Sequence, residues 1–205
     1  MTIAKSSRGP IERSFFERPP DQVAHDLIGA VMIVRHDEGS TRVRLVETEA
    51  YGGEDDPASH AFRGRTARND AMFGPAGHLY VYRIYGLHWC MNVVTQRSDL
   101  ASAVLLRGAE PLVGSDDPRG VVPAGALAGP GRLTRHLGVT GDDDGRDCCV
   151  PGARVTFEMS SREADVRRSG RVGISRARER LSRYYLAGSP GVSTTLRSPH
   201  PEDLA

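Results

Sequence analysis

Apolar and polar positions alternate most clearly in three stretches of the chain. The first is AVMIVRH, then DEGS, then TRVRLVETEAY, over residues 30–51. Two aliphatic runs around a turn-forming tetrapeptide predict a β-hairpin. The odd positions of its second strand are Val43, Leu45, Glu47, Glu49 and Tyr51. Side chains two apart on a strand share a face. The alternation therefore leads the apolar face straight into two carboxylates and a phenol. The second stretch, HLYVYRIYGLHWCMNVVTQ, predicts another hairpin turning at YGLH. The third, ASAVLLRGAEPL, is one further strand, with Val104 and Leu106 on one face and Leu105 and Arg107 on the other.

Helical patterning is sparser. RPPDQVAHDLIG places Pro20 in a first turn, Val23, Leu27 and Ile28 in a stripe, and Gly29 as the stop. PGRLTRHLGV reads as a short helix ending at Gly138. ARVTFEMS and part of RSGRVGISRA read as strands, and YYLAGSPGVS closes the fold. Residues 52–76, rich in Gly, Pro, Asp, Arg and Asn, predict mostly loop with room for a short helix, and residues 112–131, rich in Gly, Pro and Asp, have little period. Residues 1–13 are polar and predict a flexible N-terminal segment, with 14–205 as a single domain. Hairpins with few helices predict an α+β fold on an antiparallel or mixed sheet.

Composition narrows the chemistry. The 205 residues are 39% hydrophobic and 26% charged, ordinary for a globular protein. No eighteen-residue apolar run or signal peptide is apparent, so the expected setting is cytoplasmic with no membrane partner. Cys90, Cys148 and Cys149 have no zinc spacing, and the histidines show no HxH or HExxH pattern. No metal and no cofactor are expected. Lysine occurs once, at Lys5, which removes most Schiff-base chemistry. The formal net charge is +1, yet six arginines lie between His60 and Arg107 against Asp70 and Asp99. Eight more lie between Arg162 and Arg183. Such segments suit a phosphate backbone, or they reflect arginine-rich composition alone.

Three features are candidates for chemistry. A carboxylate at the end of a core-facing strand is either ion-paired or catalytic, because burying it alone is costly. Glu47 and Glu49 lie along one wall and do not oppose each other, which weakens a two-carboxylate glycosidase reading. Tyr85 precedes the glycine of a tight turn, where it can project to stack on or enter a nucleic acid, or fold back onto the sheet. His60 follows Tyr51 in a polar loop, within reach of the same pocket or on the surface.

These residues sit in VETEAYGGEDDPASHAFRGRTARNDAMFGPAGHLYVYRIYGLHWCMNVVT, followed by LLRGAEPL, GPGRL (129–133), RVGI (171–174) and GSPGVS (188–193). Together they closely resemble the alkyladenine (3-methylpurine) DNA glycosylase family of the bacterial type, from about Phe15 to Ser193. The resemblance implies a single mixed domain with a curved antiparallel sheet that works without a metal on double-stranded DNA containing damaged purines, and nothing in the sequence suggests other than a monomer. It implies that Glu49 is the general base for water, that Arg107 helps hold that water and carboxylate, and that the Val172 backbone carbonyl contacts the water. It implies that Tyr51, His60 and Tyr82 enclose the flipped base and that Asn92 crowds the exocyclic amino group of guanine. Tyr85 matches the side chain that fills the gap left by the flipped nucleotide. Arg132 departs from the pattern, standing where lysine is common, and residues 112–128 are short and Gly/Pro-rich. A binding module without catalysis and a glycosidase acting on a sugar polymer are the competing readings.

Overall fold

Residues 10–97, 100–112, 120, 122–160 and 165–193 are described by a computed structural model. The first hairpin consists of β1 (Val31–His36) and β2 (Gly39–Tyr51), with His36 opposite Gly39. Its turn is tighter than the DEGS tetrapeptide, because Gly39 and Ser40 already pair with β1. The second hairpin consists of β3 (Leu79–Ile84) and β4 (His88–Thr95), and β5 (Ser102–Pro111) follows. With β6 (Val155–Glu158), the strand order is β3-β4-β5-β2-β1-β6. Two more strands, β7 (Val166–Ser169) and β8 (Arg183–Leu186), pair with each other, and β8 pairs with β2. All pairings are antiparallel, and the sheet is curved, as expected of the α+β class. The long β2 strand holds the layout together. It carries β5 along one edge, and on the other edge β1 first and then β8 at Glu47, Thr48 and Glu49.

Three short helices, α1 (Arg13–Phe16), α2 (Pro20–Asp26) and α3 (Pro130–Leu137), pack on one face of the sheet. Phe16, Val23, Leu27, Leu133 and Leu137 meet Val43, Leu45, Val104 and Leu106 in the main core. Proline opens α2 and α3, where its missing N–H costs nothing, and Gly138 ends α3 in the left-handed conformation at φ 62°. Among the described residues no helix is long and apolar enough to cross a membrane.

The alternation in β2 does not run through unbroken. Against β5, Leu45 pairs with Ala109, Glu47 with Gly108 and Thr48 with Leu106, so the register shifts twice. Val46 is the extra residue on β2, and Arg107 is the extra residue on β5. Each bulge inverts the side-chain parity of its own strand. Val43 and Leu45 therefore face the helices, and beyond the bulge it is Ala50 that joins them in the core, with the Thr48 hydroxyl donating to the Ala24 carbonyl of α2 (2.8 Å). Glu47, Glu49 and Tyr51 point to the opposite face. The expected continuity of the apolar face into the glutamates is thus corrected: the bulge places the carboxylates across the sheet from Val43 and Leu45. On β5, Val104 and Leu106 face the core and Leu105 and Arg107 face away, as the spacing predicts.

Two other expectations change in extent. Residues 10–13, read as part of a loose N-terminus, are held: the Ile11 N–H donates to the Phe157 carbonyl (2.7 Å), and Arg13 pairs with Asp147 at 2.6 Å. Residues 1–9 lie outside the described residues. The strand expected within RSGRVGISRA covers only Arg168 and Ser169 at the end of β7, and residues 171–182 are irregular. Of the Gly/Pro-rich region 112–128, residues 113–119 and 121 lie outside the described residues.

Candidate active site

The face turned away from the helices carries a cavity of about 680 Å³. Tyr51 from β2, Tyr80 and Tyr82 from β3, Asn92 from β4 and Arg107 from β5 line it. They project together because neighbouring strands place residues of one parity on one face. Two loops complete the walls: residues 57–63, which include a 3₁₀ turn at His60–Arg63, and residues 172–176. Ser59 opens that turn by accepting from the Ala61 N–H (3.1 Å), and Gly64 ends it at φ 84°.

Glu49 lies beneath this lining with no exposed surface. Its Oε1 accepts from the Val172 N–H at 2.7 Å. Its Oε2 accepts from the Tyr51 hydroxyl at 2.9 Å and, more distantly, from Arg107 Nη1 at 3.4 Å. An ionised carboxylate offers about four lone-pair positions. Among the described residues three donors meet it, which leaves one position open. Burial first, and then the Glu49 charge, push the Tyr51 phenol well above its ordinary range, so Tyr51 stays a donor.

Glu47 is held differently. It accepts from Arg107 Nε (3.1 Å), Arg183 Nε (2.7 Å), and the Ser193 hydroxyl (2.8 Å) and N–H (2.7 Å). Burial raises its pKa, but Arg107, Arg183 and Ser193 outweigh burial and hold it below the ordinary carboxylate range. The ion-pair reading of Glu47 is the one this geometry supports. Arg107 joins the two carboxylates and also donates to the Ser193 hydroxyl (3.2 Å). Burial opposes its charge, and Glu49 and Glu47 more than restore it.

The aromatic wall is internally bonded. His60 Nδ1 is 2.8 Å from the Tyr80 hydroxyl, and its ring lies edge-on to Tyr82 at 4.6 Å. Burial and then Arg68 lower the His60 pKa, which favours the neutral imidazole. Tyr80 and Tyr82 stack at 5.3 Å. Asn92, opposite Tyr80 in the register, donates to the Tyr80 carbonyl at 2.9 Å.

Glu49, Tyr51, Arg107 and Val172 thus fall into one hydrogen-bonded group, with His60, Tyr82 and Asn92 in the walls around it. Val172 enters that group through its N–H. Tyr85 stands apart, 86% exposed at the tip of the β3–β4 hairpin, and Leu87 beside it is 73% exposed. Sequence reasoning does not single out Tyr80, which is buried, lines the cavity and lies within hydrogen-bond distance of His60. It also passes over Arg171, Asp56, Arg183 and Ser193. Arg171 adjoins Val172 in RVGI, but Asp56 sits in an acidic run that looks solvated. Among the described residues no group of three or more His, Cys, Asp or Glu side chains could hold a metal ion.

A buried carboxylate with protein donors, set under an aromatic cavity on an open sheet face, is an arrangement that can activate water beside a flat ligand. Sequence comparison sharpens this. The methylpurine-DNA glycosylase (MPG) family profile matches residues 14–190. A protein from Rhodococcus jostii is 43% identical over 209 residues, covering 97% of this chain and 91% of its own. One from Methanoculleus marisnigri is 44% identical, covering 88% and 96%. One from Rhodopseudomonas palustris is 46% identical, covering 90% and 92%. All three carry the name "putative 3-methyladenine DNA glycosylase". The chain belongs to the methylpurine-DNA glycosylase family, and so to the DNA-binding glycosylases of base-excision repair.

Proposed function

We propose that the protein flips a 3-methyladenine-type purine out of duplex DNA and hydrolyses its N-glycosidic bond with water activated by Glu49, without a strand-nicking step. The observation that carries this reading is the Glu49 carboxylate, buried and held by three donors directly under an aromatic cavity. A cavity of about 680 Å³ lies in the range of small-ligand pockets and has room for a purine. A base inside a duplex must be extruded before it can enter. Tyr51, His60 and Tyr82 then enclose it, and their π faces attract the positive charge of an alkylated purine.

Such a base already leaves readily. The C1′–N bond breaks with its electron pair passing to the cationic purine, which departs neutral. Water bonds to C1′ and gives its proton to the open position of Glu49. The Glu49 charge also favours the cationic sugar that develops. Arg107 orients the carboxylate through Nη1. The Val172 N–H is committed to Glu49, which leaves its carbonyl for the water. Asn92, fixed to Tyr80, crowds the position of a guanine amino group. Tyr85 fills the space vacated in the stack. The near absence of lysine supports direct attack by water over Schiff-base chemistry. We read the protein as a monomer acting in the cytoplasm.

Glu49→Gln keeps the shape of the side chain and removes its basicity. We expect it to abolish free-base release from methylated duplex DNA while binding that DNA nearly as well as the wild type. Release at the wild-type rate by this variant would overturn the assignment.

A further inference from the structure

Arg171 is fully buried, and so is Asp56: their side chains are 0% and 1% exposed. The Arg171 guanidinium donates to Asp56 through both terminal nitrogens, with Nη2 at 2.8 Å. Nη1 also donates to the Ala50 carbonyl of β2 at 2.9 Å. The guanidinium carbon lies 4.6 Å from the centroid of the Tyr51 ring. Asp56 is itself fixed by the N–H groups of Gly52 (3.0 Å) and Ala58 (3.1 Å). The pair therefore joins three parts of the site: the β2 backbone, the loop that leads to His60, and the segment that begins with Val172.

We propose that Arg171, held by Asp56, is the positioning residue that aims two of the three donors on Glu49. The inference rests on the reading of Glu49 as the base. One donor is the N–H of the very next residue, Val172. Consecutive Cα atoms are about 3.8 Å apart, so anchoring Arg171 leaves that N–H little freedom. The other donor is the Tyr51 hydroxyl, whose ring rests against the guanidinium. A buried ion pair adds little net stability, because desolvation offsets the attraction. Its effect on geometry is larger, since a displacement of about 1 Å at a reacting centre can cost roughly 100-fold in rate. Lysine cannot replace Arg171, because it lacks the planar fork that spans Asp56 and Ala50 and stacks on Tyr51.

The test uses the full chain with Arg171→Lys, Asp56→Asn and the double variant, each checked for folding by thermal melting. Single-turnover base release is measured on methylated duplex DNA, and affinity on a duplex with a stable abasic-site analogue. We expect each single variant to release bases roughly 10- to 100-fold more slowly. The double variant should be no slower than the worse single one, since the pair acts as a unit. Affinity for the abasic duplex, which leaves the pocket empty of base, should be unchanged. Wild-type release by either folded variant overturns the proposal, and so does a loss of abasic-site affinity as large as the loss of rate. If Arg171→Lys does not fold, Asp56→Asn, a neutral isostere, decides. Glu49→Gln, assayed alongside, separates the two readings. If it is active, the base assignment falls. If it is inactive while the Arg171 and Asp56 variants work normally, only the positioning role falls.

Discussion

Glu47 and Glu49 are the same residue type, two apart, on the same face, and their surroundings hold them differently. Glu47 is saturated by two arginines and Ser193, whereas Glu49 keeps an acceptor position and is bonded to Tyr51, Arg107 and Val172, which line the cavity. Glu47→Gln would leave Arg107 and Arg183 short of a buried counter-charge. It should cost about 3–5 kcal/mol of stability at pH 7, read from urea unfolding. The pH dependence follows from the lowered pKa of Glu47, with Asp56 shifted in the same direction. A carboxyl with a depressed folded pKa contributes stability above its unfolded pKa, about 4.3 for Glu, and loses it as pH falls through the folded value. Unfolding free energy measured at stepwise lower pH should therefore decline below about pH 5, and Glu47→Gln should flatten that decline. The residue types of this site can be read from the sequence. Which carboxylate the arginines saturate cannot, because Arg183 and Ser193 lie more than 130 positions from Glu47.

At the scale of elements, the β3–β4 hairpin carries Tyr85 at φ 52° and Gly86 at φ 67°. Left-handed backbone costs a side-chain-bearing residue about 1–2 kcal/mol, and glycine escapes that cost at about 0.5–1 kcal/mol of chain entropy. Tyr85→Gly should thus raise stability slightly, by up to about 1 kcal/mol in thermal melting, while slowing base release through loss of the stacking ring. A gain in stability with no loss of rate would count against the insertion role. The paired bulges in β2 and β5 are the second decisive element. Gly108 lies at their centre, and a Cβ there would meet the Gly191 carbonyl oxygen and the Glu47 side chain. Gly108→Ala should cost about 1–3 kcal/mol by forcing the backbone apart, and it should loosen the Ser193 contacts on Glu47. Thermal melting checks this. The hairpins and α2 and α3 are legible in the sequence from alternation and from their Pro and Gly boundaries. The bulges are not, because a parity change is visible only against a partner strand.

For the whole molecule, the faces of the sheet are divided: the helices and the main core lie on one side, and the cavity on the other. A formal net charge of +1 hides arginines at the cavity, where Arg63, Arg68 and Arg176 are among the lining residues. If about four of the protein's cations neutralise phosphates, DNA affinity should fall about 100-fold between 50 and 200 mM salt. A titration series across that range checks it, and an affinity independent of salt would argue against a phosphate-tracking surface.

The sequence by itself determined the two hairpins, β5, α2 and α3, the family through its motifs, and most of the side chains that gather at the cavity. These are local properties, written in period, turn residues and motif spacing. Tertiary structure alone decided which face Glu47, Glu49 and Tyr51 occupy, which carboxylate remains available, and that Arg171 and Asp56 support it. Those outcomes depend on register and on contacts between residues 60 to 146 positions apart, and no local pattern encodes them.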